Sequence, residues 1–350
     1  MRFAFVLTNL AGGGAEKAVA KLAAALVGCG HEARLVLLED RIDHALPAGV
    51  PVEALGGIAS KGWLGKRRLA AKLRARVQAL GPQDLIVSSL PFADEVSVLA
   101  CLPRHVCRIA DTLSVDLDRL PPRRAARRLG RYRAMYGSRP LVAVSAGVAD
   151  DLHRRLGLGG PVTTIPNLFD AGAIRAAATA SAALPAQPYV IHVGRLARQK
   201  RHDLLLDAWS RIDSGHLLVL LTPPCAALQA MIDARSLARR VVVAGFQANP
   251  YPWIAGADLL VLCSDHEGLP NVLIEALLCG TPAVSTDCPS GPREILAAYP
   301  ECLVPCGDAP ALAAAIGRCL AAPPDPARAD LAAYRPEAVV AAYARLAETV

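Results

Sequence analysis

The most informative stretch of the chain reads Ser264-Asp265-His266-Glu267-Gly268-Leu269-Pro270-Asn271-Val272-Leu273-Ile274-Glu275-Ala276. The preceding residues 259–262 form a continuous apolar run, which is typical of a strand buried in a parallel sheet. The residues after Pro270 predict a helix. The stretch is therefore the turn of a strand–helix unit, at the sheet edge where open α/β proteins bind ligands.

Two glutamates in this stretch are separated by seven residues. Glu267 lies at the turn and Glu275 on the following helix, while Asn271 falls near the helix start, where backbone N–H groups are free. One carboxylate could hold a sugar hydroxyl and the other a ribose hydroxyl. Alternatively, Glu267 is only a charge favoured by the helix dipole and Glu275 only a solvated position, although its neighbours are mostly apolar.

Apolar strand-like runs alternate with helical segments on both sides of this stretch. The predicted strands are residues 1–8, 33–38, 84–88, 106–110, 141–144, 189–193, 217–221, 241–244, 259–262 and 283–285. This alternation predicts an α/β protein with two parallel-sheet domains. We expect the domains at residues 1–172 and 173–333, with an alanine-rich linker or boundary region at 171–188 and a final helix at 334–350 that completes the first domain.

Two further turns carry residues suited to anionic ligands. Gly12, Gly13 and Gly14 follow the first strand, and glycines at a helix start let phosphate approach the backbone. After the strand at 189–193, Arg195 offers a forked donor and Lys200 a point charge, a pair that suits a diphosphate. Each turn could also be structural only, a tight glycine turn in one case and a solvated basic turn in the other.

Composition narrows the class of protein. The 350 residues are 53% apolar with a net charge of +7, which indicates a large core and anionic partners. No run of 18 apolar residues predicts a membrane-spanning helix, and the start lacks signal-peptide features, so we expect a cytoplasmic protein. The ten cysteines include no CxxC pair, which favours free thiols, and the segment from Cys101 through His105 to Cys107 matches no common zinc spacing.

Taken in order, these motifs resemble the retaining glycosyltransferases of family 4, which have the GT-B fold of two Rossmann-like domains facing an interdomain cleft. The resemblance covers most of the chain. Besides the glycine turn and the Glu-x7-Glu block, it rests on Val144–Val148 with Asp151-Leu152, Ile165-Pro166-Asn167, Val193–Lys200, Gly280-Thr281-Pro282 and Ser290–Glu294.

The resemblance implies roles for individual residues. Arg195 and Lys200 would neutralise the donor diphosphate, Glu275 would bind the ribose, and Glu267 would contact the transferred sugar. Further donor-binding positions would be Gly13, Gly14, Gly268, Leu269, Pro270, Asn271 and Val272. The first domain would bind the acceptor and the second a UDP-linked donor, without cofactor or metal, and the anomeric configuration would be retained by electrostatic stabilisation of the leaving phosphate.

One departure from the family concerns the first domain. Many members carry a histidine after its central strands, but the equivalent residues 107–112 contain none, and Asp111 is the nearest polar candidate for a catalytic role. An Asp-x-Asp pattern at Asp116 and Asp118 resembles the metal-binding pair of another glycosyltransferase class. It lies outside the donor half, so we interpret it as an acidic turn rather than a metal site.

A basic amphipathic helix is predicted in the first domain. Its arginines are Arg123, Arg124, Arg127, Arg128 and Arg131. A second basic cluster, with interleaved apolar residues, spans residues 61–76. Such one-sided charge favours contact with the anionic inner face of the plasma membrane over two merely solvated faces. The acceptor could then be a polyprenyl-linked saccharide. The resemblance implies a role in cell-surface polysaccharide or lipopolysaccharide synthesis.

Three other functions compete with transfer to an acceptor. The same fold supports a nucleotide-sugar epimerase or hydrolase, and the missing histidine leaves room for a non-catalytic relative that only binds sugar nucleotide. The basic charge alone would also suit nucleic acid. No helix-turn-helix, zinc-finger or RNA-binding pattern is present in the sequence, so we expect no nucleic-acid partner.

Overall fold

The computed structural model describes residues 1–11, 13–43, 46, 48–57 and 62–350. These residues form two compact units. The first unit comprises Met1–Leu168 and Ala332–Val350, and the second comprises Phe169–Leu331. The boundaries expected from the sequence are residues 172 and 333.

Each unit is built on one parallel sheet. The strands are β1 (Arg2–Leu7), β2 (Glu32–Leu37), β3 (Val52–Ala54), β4 (Leu85–Ser89), β5 (His105–Ile109), β6 (Leu141–Ala143), β7 (Val162–Thr164), β8 (Tyr189–Val193), β9 (Leu217–Leu221), β10 (Val241–Val243), β11 (Leu259–Leu262), β12 (Ala283–Thr286) and β13 (Leu303–Val304). The first sheet has the order β3-β2-β1-β4-β5-β6-β7 and the second β10-β9-β8-β11-β12-β13. In both, the strand order reverses beside the first strand of the unit, as in doubly wound folds.

Helices lie between most pairs of successive strands. They are α1 (Gly14–Gly28), α2 (Trp63–Ala79), α3 (Pro91–Leu99), α4 (Ser114–Asp118), α5 (Pro122–Tyr136), α6 (Ala146–Asp150), α7 (Ala171–Ala178), α8 (His202–Trp209), α9 (Ala226–Asp233), α10 (Tyr251–Ala255), α11 (Asn271–Cys279), α12 (Pro292–Ile295), α13 (Ala309–Ala321) and α14 (Pro336–Thr349). A π-helical turn, Asp151–Arg155, continues α6, and short 3₁₀ turns lie at Arg198–Lys200, Pro300–Cys302, Pro326–Arg328 and Ala332–Tyr334. Within the described residues, no helix is long and apolar enough to span a bilayer.

The alternation of side chains along β1 explains how the first unit is layered. Phe3 and Phe5 pack in one buried cluster with residues of α1 and α14. Ala4 and Val6 pack in the opposite cluster with residues of α2 and α3. The final helix therefore belongs to the first unit because it covers the same sheet face as α1.

The structure confirms all ten predicted strands to within one residue at each end and adds three short ones. These are β3, β7 and β13, and each lies at the edge of its sheet. The segment 171–188, expected as a linker or boundary region, follows directly after the boundary between the units, and its first residues are helical. Those residues form α7, which packs against α10 and α11 and so belongs to the second unit.

Candidate active site

Two loops of the second unit are held together beyond adjacent parallel strands, β8 and β11. The Asp265 N–H donates to the Gln199 carbonyl at 2.9 Å. The Gln199 side-chain amide in turn donates to the His266 carbonyl at 2.6 Å. These hydrogen bonds bring the basic turn after β8 beside the acidic turn after β11. Gln199 is a supporting residue whose role the sequence analysis did not identify.

The centre of this arrangement is an ion pair. Lys200 Nζ lies 2.6 Å from Glu267 Oε1, and the two side chains are only 20% and 10% exposed. Ser264 Oγ donates to the same carboxylate oxygen at 2.6 Å. Low exposure strengthens the attraction between the charges and also raises the cost of removing one of them.

The neighbouring cation, Arg201, is committed to local carboxylates. Its guanidinium lies 2.9 Å from both Asp203 and Asp265, and hydrogen bonds to these two carboxylates, Asp203 first, raise the pKa of Arg201. Its backbone is left-handed, with φ at 48°, between the turn of Lys200 and α8. Arg201 therefore shapes the loop, while its charge is already balanced.

Arg195 differs from Arg201 because its charge is not balanced. The residue is exposed, and neither its guanidinium nor its backbone N–H makes a hydrogen bond or ion pair with the described residues. The loop beyond β8 therefore carries the cationic side chains of Arg195 and Lys200, with the exposed Arg198 between them in sequence. Arg195 and Lys200 together are suited to bind a phosphate group.

The turn after Glu267 is fixed by close packing from the segment after β12. The Glu267 N–H donates to the Pro289 carbonyl at 3.3 Å. Gly291 has φ at +96°, and a Cβ at this position would overlap the ring of Pro270. Only glycine satisfies both constraints, so Gly291 sets the path of residues 268–270.

The predicted sugar and ribose residues fall on this turn and on α11, which begins at Asn271. Leu269 and Val272 are buried and line the start of the helix. Glu275 is half-buried, and the Tyr251 hydroxyl donates to its Oε1 at 3.4 Å. Burial, followed by the nearby Glu275 charge, raises the pKa of Tyr251. Glu275 is thus an oriented carboxylate rather than a freely solvated one.

In the first unit, Gly13 and Gly14 are exposed at the start of α1, whereas Gly12 lies outside the described residues. Asp111 is exposed just beyond β5, and its Oδ1 accepts a hydrogen bond from the Thr112 N–H at 2.8 Å. The structure thus places Asp111 at the carboxyl end of a central strand, where a ligand-contacting residue would be expected.

A buried polar network in the first unit was missed by the sequence analysis. Asp94 accepts hydrogen bonds from Ser88 Oγ at 2.5 Å and from the Tyr136 hydroxyl at 2.8 Å. Burial raises the pKa of Asp94 to about 7. His105 Nε2 lies 2.9 Å from the same Ser88 hydroxyl, and burial lowers the pKa of His105 to about 3. His105 is therefore a neutral structural residue.

The basic helix is α5, and its arginines differ in their partners. Arg123, Arg124 and Arg127 are exposed and make no ion pair with the described residues, whereas Arg128 lies 3.6 Å from Asp116 and Arg131 pairs with Glu95. The other residue of the Asp-x-Asp pattern, Asp118, pairs with Arg155 at 2.8 Å. In the part of the chain that the structure describes, no group of three or more His, Cys, Asp or Glu could hold a metal ion.

Comparisons with known proteins agree with this fold. The family model for Glycosyltransferase Family 4 matches residues 12–172, and that for Glycosyl transferases group 1 matches residues 187–322. The N-acetylgalactosamine-N,N'-diacetylbacillosaminyl-diphospho-undecaprenol 4-alpha-N-acetylgalactosaminyltransferase of Campylobacter jejuni is 38% identical over 109 residues, 31% of this chain and 30% of its own length. The lipopolysaccharide core biosynthesis glycosyltransferase LpsD of Rhizobium meliloti is 31% identical over 198 residues, 55% of this chain and 57% of its own length. The crystal structure of Anabaena HepE with UDP and glucose superposes over 100% of this chain and 99% of its own, with a TM-score of 0.71 and 20% identity.

The structural likeness defines the class: the chain has the two parallel-sheet α/β domains of the GT-B fold. The two family matches follow one another along the chain and together leave out only its ends and a short middle segment. The chain belongs to the family 4 glycosyltransferases, also called glycosyl transferases group 1. The aligned segments span less than two thirds of the two curated relatives' own lengths.

Proposed function

We propose that the protein transfers a hexose or N-acetylhexosamine from a UDP-sugar to a saccharide or lipid-linked saccharide acceptor, with retention of the anomeric configuration. The single observation that carries the proposal is the arrangement beyond β8 and β11. There, Glu267 pairs with Lys200, and the loop that carries Lys200 also carries the exposed, unpaired Arg195. Arg195 and Lys200 can neutralise a diphosphate. The Glu267 carboxylate can accept a hydrogen bond from a sugar hydroxyl.

The proposed chemistry uses the chain's own charges. The bond between the sugar's anomeric carbon and the phosphate oxygen breaks, and the acceptor oxygen forms a new bond to that carbon on the same face. The acceptor proton passes to the departing phosphate oxygen. Arg195 and Lys200 stabilise the charge that develops on the diphosphate. Glu267 holds a sugar hydroxyl and Glu275 the ribose, so no cofactor or metal is required.

The donor complex exchanges one ion pair for another. When the diphosphate approaches Lys200, the Glu267 carboxylate can give up part of its pairing and accept a hydrogen bond from a sugar hydroxyl. Ser264 still donates to Glu267 and keeps the carboxylate in place. The ion pair of the free protein thus preorganises both side chains for the donor.

The acceptor proposal rests on the first unit and on the relatives. The Campylobacter relative's name specifies a diphospho-undecaprenol substrate, and the Rhizobium relative's name specifies lipopolysaccharide core biosynthesis. The exposed arginines of α5 and the exposed apolar side chains Trp63 and Leu64 at the start of α2 suit an anionic lipid surface. The relatives' names and this surface together support a lipid-linked acceptor in cell-surface polysaccharide synthesis. The protein would meet this acceptor at the inner face of the plasma membrane.

The reaction is tested with UDP-sugars, EDTA and a panel of saccharide and polyprenyl-diphosphate-saccharide acceptors. We expect acceptor-dependent release of UDP, with α-linked product from an α-linked donor by NMR. Release of UDP at the same rate without acceptor would identify a hydrolase, and an altered sugar on recovered donor would identify an epimerase. Donor binding without turnover on any acceptor would favour a non-catalytic relative.

Membrane contact is tested separately by sedimentation with vesicles. The triple change of Arg123, Arg124 and Arg127 to glutamine should weaken binding to phosphatidylglycerol vesicles by about 100-fold, at roughly 1 kcal/mol per arginine. The matched control changes three other exposed, unpaired arginines, Arg211→Gln, Arg239→Gln and Arg345→Gln. Equal losses in both triple variants would show that only net charge matters, and binding to random DNA as strong as to vesicles would revive the nucleic-acid alternative.

A further inference from the structure

Beneath the loop that carries Arg195 lies a buried chain of hydrogen bonds. The Thr222 hydroxyl, at the end of β9, donates to the Gly194 carbonyl at 2.7 Å. His202 Nε2, at the start of α8, lies 3.0 Å from the same hydroxyl oxygen. Both side chains are almost fully buried. None of the motifs that point to the donor site includes either residue.

The directions of these hydrogen bonds follow from the groups involved. A carbonyl can only accept, so the single Thr222 proton is used on Gly194. The Thr222 oxygen must then accept from His202, which fixes the His202 proton on Nε2. Burial lowers the pKa of His202 to about 4, so the ring stays neutral at ordinary pH and this one tautomer persists. The relay therefore runs in one direction, from His202 through Thr222 to Gly194.

Fixing this carbonyl also fixes the amide on the other side of the peptide bond. In a trans peptide the C=O and the following N–H point in opposite directions. The Gly194 carbonyl points inward to Thr222, so the Arg195 N–H points away from the buried relay. That N–H makes no hydrogen bond with the described residues, and the Arg195 side chain is exposed.

Packing around Gly194 keeps the peptide in this orientation. A Cβ at Gly194 would lie 3.2 Å from His192 Nε2 and 3.7 Å from the Lys200 side-chain carbons. His192 is fully buried, donates from Nδ1 to the Val261 carbonyl at 2.9 Å, and packs edge-on against the His202 ring. A side chain at residue 194 would press on His192 and contact Lys200.

We propose that His202 and Thr222 are positioning residues that aim the Arg195 backbone N–H, together with its guanidinium, at a phosphate of the nucleoside diphosphate. The inference rests on the proposed donor site, and it adds the buried residues that hold the phosphate-binding amide in place. The backbone N–H supplies a hydrogen bond to the anion that no change of the Arg195 side chain can remove.

The test compares UDP, by calorimetry, with uridine, by ligand-observed NMR, on the full chain in EDTA. Thr222→Val keeps the shape but removes the hydroxyl, and should weaken UDP binding about tenfold, the loss of one hydrogen bond to a charged group. Uridine binding should change less than about twofold, because uridine lacks the phosphates. Thr222→Ser restores the donor hydroxyl and should bind UDP about as well as the wild type.

The matched control is Thr281→Val. Thr281 is equally buried in the second unit and donates to the Ile254 carbonyl at 2.7 Å, away from this loop. Equal UDP affinity in Thr222→Val and Thr281→Val would overturn the inference, as would an equal loss for UDP and uridine. Thr222→Ala serves if the valine variant does not fold, and failure of both to fold while Thr281→Val folds would mean a structural role only. Absence of UDP binding to the wild type would instead overturn the proposed donor.

Discussion

Replacing Lys200 by methionine removes the ammonium and keeps the length of the side chain. The Lys200–Glu267 contact of 2.6 Å joins side chains that are 20% and 10% exposed. Removal of one partner of a buried pair costs about 3–5 kcal/mol, and partial exposure with the retained Ser264 hydrogen bond reduces this to about 1–3 kcal/mol. Lys200→Met should therefore unfold at a lower temperature, yet fold.

The Lys200→Met substitution should also lower the rate of turnover, by more than the loss of folding stability alone would explain. Loss of one preorganised charge at the leaving group costs about 10²–10³ in kcat. Glu267→Gln in the Lys200→Met background removes the buried negative charge and should recover most of the lost stability. The double variant should stay as inactive as Lys200→Met, because the diphosphate still lacks its cation.

Two assays separate these effects: thermal unfolding for stability, and UDP release with saturating donor and acceptor for turnover. Arg211→Met is the matched control, since Arg211 is an exposed, unpaired cation of the same unit at the amino-terminal side of β9. It should leave both readings unchanged. Turnover of Lys200→Met within tenfold of wild type, or recovery of turnover in the double variant, would refute the role given to Lys200.

Other substitutions and pH test the supporting structure. Gly291→Ala should raise the donor KM and destabilise the protein by about 1–3 kcal/mol, because the new Cβ overlaps Pro270 at a left-handed φ; donor titration and thermal unfolding measure both. Burial lowers the folded pKa values of His192 and His202 to about 3 and 4, below the usual 6.5. The unfolded chain therefore binds more protons, and the second unit should lose stability as pH falls from about 6.5 to about 3. Proteolysis mapped along the chain should show the second unit opening in that range. Asp94 should have the opposite effect on the pH dependence of stability, because its folded pKa of about 7 lies above the usual 3.8. Its contribution to stability should grow as pH falls from about 7 to 4. Asp94→Asn should remove that rise from the stability of the first unit, measured by unfolding at each pH.

The central strands could be predicted because they are buried on both faces. Segments such as Leu217–Leu221 and Leu259–Leu262 are continuous apolar runs, and only a doubly covered sheet requires that pattern. The edge strands β3, β7 and β13 have only two or three residues each, and their local sequence does not differ from a loop. Pairing with one neighbour alone makes them strands, and a single sequence does not contain that information.

The α7 segment is a helix at a place where the sequence predicts a linker or boundary region. That prediction rests on its many alanines and on Pro185 and Pro188. Alanine is also the best helix former, and Ile174 is buried on the inner face of the helix. Tertiary packing against α10 and α11 decides between the two interpretations.

The sequence motifs predict candidate site residues, but they do not predict the contacts between them. Lys200 and Glu267 belong to separate motifs, and their ion pair joins positions 67 residues apart. The relay through His202 and Thr222 left a weaker signal, a histidine at a helix start and a threonine ending an apolar strand. Each is ordinary alone, and only the parallel pairing of β8 with β9 brings them to one carbonyl.

The most direct test of the central claim is calorimetry of UDP and a panel of UDP-sugars with the wild type and Glu275→Ala, in EDTA. We predict saturable binding of UDP and of at least one UDP-sugar by the wild type, and loss of both in the variant, because the ribose loses its oriented carboxylate. Absence of binding by the wild type, or unchanged affinity in Glu275→Ala, would contradict a UDP-sugar site beyond β8 and β11.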